Sequence, residues 1–134
     1  MPKKSEHTFI IPAHIKNLPS REEISCGFIL IKYFKSSIEC ISSDNANSKS
    51  PDFLVKRLNQ RWEVKTIRGN SDNTIHHAFA RSNGQSENLI IYLGRTKMRP
   101  KSAIGRVKRE LRAGIKKKRV LVVTKDGAVI AIKQ

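Results

Sequence analysis

Ser50-Pro51-Asp52-Phe53-Leu54-Val55 is followed, after a short polar break, by Trp62-Glu63-Val64-Lys65. This pairing constrains the chain more than any other feature. Successive side chains on a strand point to opposite faces, so Glu63 and Lys65 share one face while Trp62 and Val64 share the other. If strands over 52–56 and 61–67 pair as a hairpin through Arg57–Gln60, Asp52 reaches the face of Glu63 and Lys65. Two carboxylates and an ammonium then converge on one spot. Hard divalent cations take oxygen ligands, and phosphodiester hydrolysis needs such a cation plus positive charge near the attacking water. The expectation is nuclease chemistry. Asp52 and Glu63 would act as metal ligands, the Val64 carbonyl as a backbone ligand, and Lys65 as the group that orients the water and steadies phosphate charge. A bare Glu-x-Lys would need nothing beyond an ordinary ion pair on a solvated strand. The Asp at hairpin distance is what favours a site.

The rest of the pattern sets that hairpin in an α/β frame. The proline-punctuated residues 1–19 read as an arm with at most one short strand at Thr8–Ile11, and residues 20–134 as a single domain. Ser20 is an N-cap, with Glu22 and Glu23 in the first turn of a helix over 20–35 whose Ile24, Phe28 and Ile31 recur at helical spacing. A strand at Ile38–Ile41 and a polar loop over Ser42–Ser50 precede the hairpin. Then come a helix over about 75–84 capped by Asp72 or Thr74, a buried strand at Leu89–Leu93, and a helix over 102–116. The last helix has an apolar stripe of Ile104, Val107, Leu111 and Ile115. Strands at Val120–Val123 and Ala128–Ile132 close the chain around Asp126-Gly127. This order predicts an α/β sandwich with a mixed central sheet flanked by helices.

Charge points to a polyanion. The chain carries +16 overall, and residues 95–134 hold fourteen Lys/Arg against two Asp/Glu. Such a field draws in nucleic acid and speeds the encounter. Arg95, Lys97, Arg99, Lys101, Arg106, Lys108, Arg109, Arg112 and Lys116, continuing into Lys117-Lys118-Arg119, are expected to grip backbone phosphates, with Arg68 and Arg81 beside the hairpin. Few aromatics accompany them, so a folded duplex such as a tRNA arm or DNA suits the pattern better than a stacked single strand. His76 and His77 open the second core helix and offer a proton donor, although surface histidines at a helix start need no such role. Cys26 and Cys40 lie far apart and outside any CxxC, as buried reduced thiols would. The stripe of the last helix is too narrow and lacks the aromatics of a membrane-surface helix. Neither a signal peptide nor a bilayer-length apolar run is present, so the expected site of action is cytoplasmic.

Pro51-Asp52 and Glu63-x-Lys65 in a helix-strand-strand-strand-helix-strand order resemble the PD-(D/E)XK nuclease superfamily over about residues 20–93, with an appended basic helix and C-terminal β-hairpin. The wording Ser-Pro-Asp-Phe-Leu-Val, Trp-Glu-Val-Lys and Ala80-x4-Gln85-Ser86-x-Asn88 is similar to the C-terminal nuclease domain of the CdiA contact-dependent growth inhibition toxins, largely metal-dependent tRNA nucleases. The resemblance implies an acidic metal ligand on the first helix, best matched by Glu23 with Glu22 as the alternative, and an assisting polar residue at Gln85. It implies Mg²⁺, with Mn²⁺ or Zn²⁺ as alternatives, tRNA ahead of DNA as substrate, and a cognate immunity protein as partner. The Gln-x-x-x-Tyr of the RecB-like branch is absent. Because the chain opens on its own Met without a delivery region, a detached toxin module and a housekeeping relative both stay open.

Overall fold

A computed structural model of the chain describes residues 7–15, 18–41, 52–71, 73–82 and 87–133. Along it run β1 (Phe9–Ile10), α1 (Arg21–Phe34), β2 (Ile38–Ile41), β3 (Asp52–Val55), β4 (Gln60–Thr66), α2 (Thr74–Ser82), β5 (Asn88–Tyr92), α3 (Pro100–Arg112), β6 (Arg119–Val123) and β7 (Val129–Lys133). The seven strands form one mixed sheet in sequence order. β3 runs antiparallel to both β2 and β4, and β6 antiparallel to β7. β4, β5 and β6 run parallel, because α2 and α3 serve as their crossover connections. β1 pairs parallel with β2 at one edge.

Helices cover both faces. Under α1, Cys26, Leu30 and Phe34 pack on Phe53, Trp62, Ile90 and Leu121. Under α2 and α3, Ile75, Phe79, Ala103 and Val107 pack on Leu89, Ile91, Val120 and Val122. Every residue of β5 is buried, as expected of a strand roofed on both sides. Each fully buried Leu or Ile here contributes about 2 kcal/mol through the area it removes from water. Gly27 lets α1 approach β1, since a Cβ there would come within 2.3 Å of the Phe9 ring. Cys26 and Cys40 are both buried and free, and burial holds their thiols protonated, with Cys40 pushed up to about 12.

Local signals explain the boundaries. Ser20 caps α1 in a full capping box, and Lys35 closes that helix in the left-handed region at φ 53°. The β3–β4 turn passes through Asn59 at φ 51°. α3 departs from the sequence expectation by starting at Pro100 and ending at Arg112 rather than spanning 102–116. Pro100 suits a first helical position, and Gly114 at φ 103° ends the run, so Ile115 packs from a loop rather than a helix. The face of α3 turned inward also carries Ala103 and Glu110 besides Val107, with Ile104 and Leu111 only partly covered. Among the described residues, no helix is long and apolar enough to cross a membrane.

Candidate active site

Phe53 pairs with Trp62 across the β3–β4 ladder, and both rings enter the α1-side core. Carried one residue further, that register sets Asp52 opposite Glu63, on the face that Arg61 and Lys65 share. Both acids are buried, Asp52 at 6% and Glu63 at 3% exposure. Arg61 Nε donates to Asp52 Oδ2 at 2.8 Å, and Lys65 Nζ lies 3.2 Å from Glu63 Oε2. The other Glu63 oxygen, Oε1, is buried with no hydrogen-bond partner. Burial pushes the Glu63 carboxyl above the usual range, and the neighbouring Asp52 charge adds to the push. Lys65, by charge and hydrogen bond, and Lys117, by charge, oppose it.

Lys117 is the residue that sequence reasoning misplaced. Read with Lys116, Lys118 and Arg119, it belonged to a surface phosphate grip. It is instead 4% exposed, and its ammonium donates to the Ser82 carbonyl at the end of α2 at 2.9 Å. Burial lowers its pKa, with the nearby Glu63 carboxylate opposing and Lys65 reinforcing the shift. Arg61, absent from the expected constellation, was also missed, although its i+2 spacing to Glu63 puts it on the same strand face.

Glu23 occupies a different position. It lies in the first turn of α1, on the helix that roofs the opposite face of the sheet. Its Oε1 accepts from the Ser20 backbone N–H at 2.6 Å, while Ser20 Oγ accepts from the Glu23 N–H at 3.1 Å. Glu22 is instead paired with Arg95 at 2.6 Å, and hydrogen bonding and Arg95 hold its carboxyl below the usual value. Asp52, Glu63 and Lys65 are thus brought together, and Glu23 is not gathered into their cluster. Among the described residues, no group of three or more His, Cys, Asp or Glu side chains is arranged to hold a metal. Two acids still fit a Mg²⁺-like ion, which binds through one or two carboxylates and fills its shell with water and substrate oxygens. The unpartnered, buried Glu63 Oε1 is the acceptor such an ion would satisfy. Pro51 and Gln85 lie outside the described residues.

Beside the acids opens a cleft of about 810 Å³. Residues 64–69 at the end of β4 form one wall, Leu18, Ser20 and Glu23 a second, and Thr74, His77, Ala78 and Arg81 of α2 a third. Lys65 links the two regions, since it bonds Glu63 behind and lines the cleft in front. Val64 also lines it, as does Thr66, whose buried hydroxyl has no partner. Arg68 and Arg81 bring positive charge to the cleft lining, and His77 brings an imidazole. His76 turns away and shares a 2.8 Å hydrogen bond with Glu110 of α3, which explains that acid's burial. Beyond the cleft, Lys97, Arg99, Lys101, Lys108, Arg109, Arg112 and Lys116 are exposed. Arg106 is partly engaged, donating to the Ser71 carbonyl at 2.7 Å.

Residues 49–129 match the family model for the contact-dependent growth inhibition CdiA C-terminal domain. A solved structure, the CdiA-CT/CdiI toxin and immunity complex from Burkholderia pseudomallei, has a similar fold. Its TM-score is 0.62 at 16% identity, over 90% of this chain and 98% of that one. No curated protein sequence matches significantly.

Proposed function

The chain belongs to the contact-dependent growth inhibition CdiA C-terminal domain family, and we propose that it is a toxin-type, metal-dependent endonuclease built on a PD-(D/E)XK core. Its favoured substrate is tRNA, with DNA second. The observation that carries this reading is the buried Asp52–Glu63 pair with one unsatisfied carboxylate oxygen, tied by Lys65 to a basic cleft. Asp52, Glu63 and the Val64 carbonyl would hold the cation, while Glu23 stays in its capping box with Ser20 on the α1 wall. When bound, a divalent ion supplies polarisation of the phosphate and a more acidic water.

The chain's own residues do the rest. Arg68 and Arg81 seat the phosphate in the cleft and hold its orientation. Lys65 keeps the Glu63 carboxylate in place and presents positive charge where the phosphate becomes more negative. Gln85 assists from beyond α2. Exposed cations on and around α3 align the nucleic acid without reading its sequence. The neighbouring fold comes from a toxin and immunity complex, which supports a cognate immunity protein as this chain's partner, acidic where this surface is basic.

One observation favours a second reading. Asp52 is already held by Arg61 at 2.8 Å, as it would be in a non-catalytic nucleic-acid-binding module whose acids serve only as structural ion pairs. Incubation with total tRNA and with plasmid DNA, with Mg²⁺ or with EDTA, decides between them. Cleavage that needs Mg²⁺ and vanishes in Asp52→Ala and Lys65→Ala, both still folded by circular dichroism, supports the nuclease. Binding without cleavage under every condition leaves the module.

A further inference from the structure

The α2 wall of the cleft carries a group that the metal-and-lysine scheme leaves unused. Thr74, His77, Ala78 and Arg81 recur at helical spacing and line the cleft together. His77 N–H donates to the Asn73 carbonyl, which sets the His77 backbone in the first turn of the helix. The adjacent His76 is committed elsewhere, to Glu110 of α3. Two neighbouring histidines that look equivalent in the sequence are therefore separated by the fold, one toward α3 and one toward the cleft.

Resting on the nuclease reading above, we propose that His77 is a catalytic residue, the general acid that protonates the leaving oxygen of the cleaved phosphodiester. In the step, water attacks phosphorus and forms the new P–O bond while the bond to the leaving oxygen breaks. The attacking water loses its proton to solvent or to a base. The His77 imidazolium passes its own proton to the departing oxygen, which leaves as an alcohol, and then takes another from solvent. One diester and one water give one monoester and one alcohol.

Two features of the cleft support the assignment. Imidazole is the side chain whose ordinary proton exchange falls near neutrality, and His77 is the only imidazole among the described residues lining the cleft. It shares that cleft with the cationic side chains of Lys65, Arg68 and Arg81. A phosphate bound among them lies against the α2 wall that His77 occupies, and proton donation of this kind needs such direct reach.

The test uses the full chain and an RNA oligonucleotide containing the bond that the wild type cuts. One version keeps the natural leaving oxygen, and the other replaces it with a bridging sulfur, which departs as a thiolate without needing a proton. On the natural linkage, His77→Ala and His77→Gln are expected to lose about 10²–10⁴-fold in single-turnover rate. On the sulfur linkage both are expected to cut close to the wild-type rate, and His76→Ala to behave as wild type on either. Equal loss on both linkages, or no loss on the natural one, overturns the general-acid role. Two variants guard against a folding artefact, since Gln keeps the size and polarity of the side chain and a misfolded protein would fail on sulfur as well. A wild type that cuts neither total tRNA nor plasmid DNA leaves no such bond to place in the oligonucleotide and overturns the nuclease reading and this one with it, a result distinct from selective loss in the variants.

Discussion

Lys117 reaches back from the segment after α3 to donate to the Ser82 carbonyl at 2.9 Å, in a position only 4% exposed. That contact fastens the end of α2 to the start of β6 and places a buried ammonium in the field of Glu63. Lys117→Met should leave the carbonyl without its donor and remove positive charge beside the acid pair. A loss of roughly 1–3 kcal/mol in urea unfolding is expected, the cost of stranding a buried polar group. Combined with Glu63→Gln, the two effects should fail to add by about 0.5–3 kcal/mol. Strict additivity would mean that Lys117 acts on α2 alone.

Glu63 gives the metal-free protein a pH signature. Its folded carboxyl is raised above the ordinary value, chiefly by burial. Between the unfolded and folded values the native state therefore binds more protons than the unfolded state, and stability falls as pH rises through that window. With EDTA present, the melting temperature should drop from the ordinary Glu range toward neutrality, and Glu63→Gln should flatten that slope. At pH 7 the variant should be more stable than the wild type by about 0.5–2 kcal/mol, the gain common where a site strained for function is relaxed. A wild-type profile that instead climbs through the window would contradict the buried, disfavoured charge.

A cation that satisfies Glu63 Oε1 should reverse this penalty. Titrating Mg²⁺ or Mn²⁺ into the apo protein is expected to raise stability by about 2.7 kcal/mol at one hundred times the dissociation constant. Calorimetric scans of Asp52→Asn and Glu63→Gln should show little or none of that gain. If all three proteins respond alike, the ion binds elsewhere.

The site was legible where its geometry is local. Strand alternation alone aligns Glu63 with Lys65, and a tight turn alone brings Asp52 alongside, so both follow from a few residues of sequence. The capping box at Ser20 and Glu23 is equally local. What the sequence hid depends on contacts between distant segments. Lys117 looks like one member of a solvated basic run, and only the approach of the α3–β6 connection to the end of α2 makes it a buried charge. The turn of His76 toward Glu110 spans 34 positions, so nothing near either residue announces it. The cleft that joins Glu23 to Lys65 exists only once α1, β4 and α2 are assembled.

The exposed cations make a prediction about salt. Lys97, Lys101, Lys108 and Arg109 lie on the surface around α3, outside the cleft. If they contact phosphates, each releases about one counterion when duplex nucleic acid binds, and the slope of log affinity against log salt falls by about 0.9 per contact removed. Replacing all four with Gln should therefore weaken tRNA binding and flatten the slope by up to about 3.6, as measured by filter binding across a salt series with EDTA present to prevent cleavage. Arg68→Gln and Arg81→Gln should behave differently, because their phosphate sits at the scissile bond. There the larger effect is expected in single-turnover cleavage at saturating tRNA, with only a small change in slope. An unchanged slope in the fourfold variant would move the nucleic-acid track off α3 and back onto the walls of the cleft.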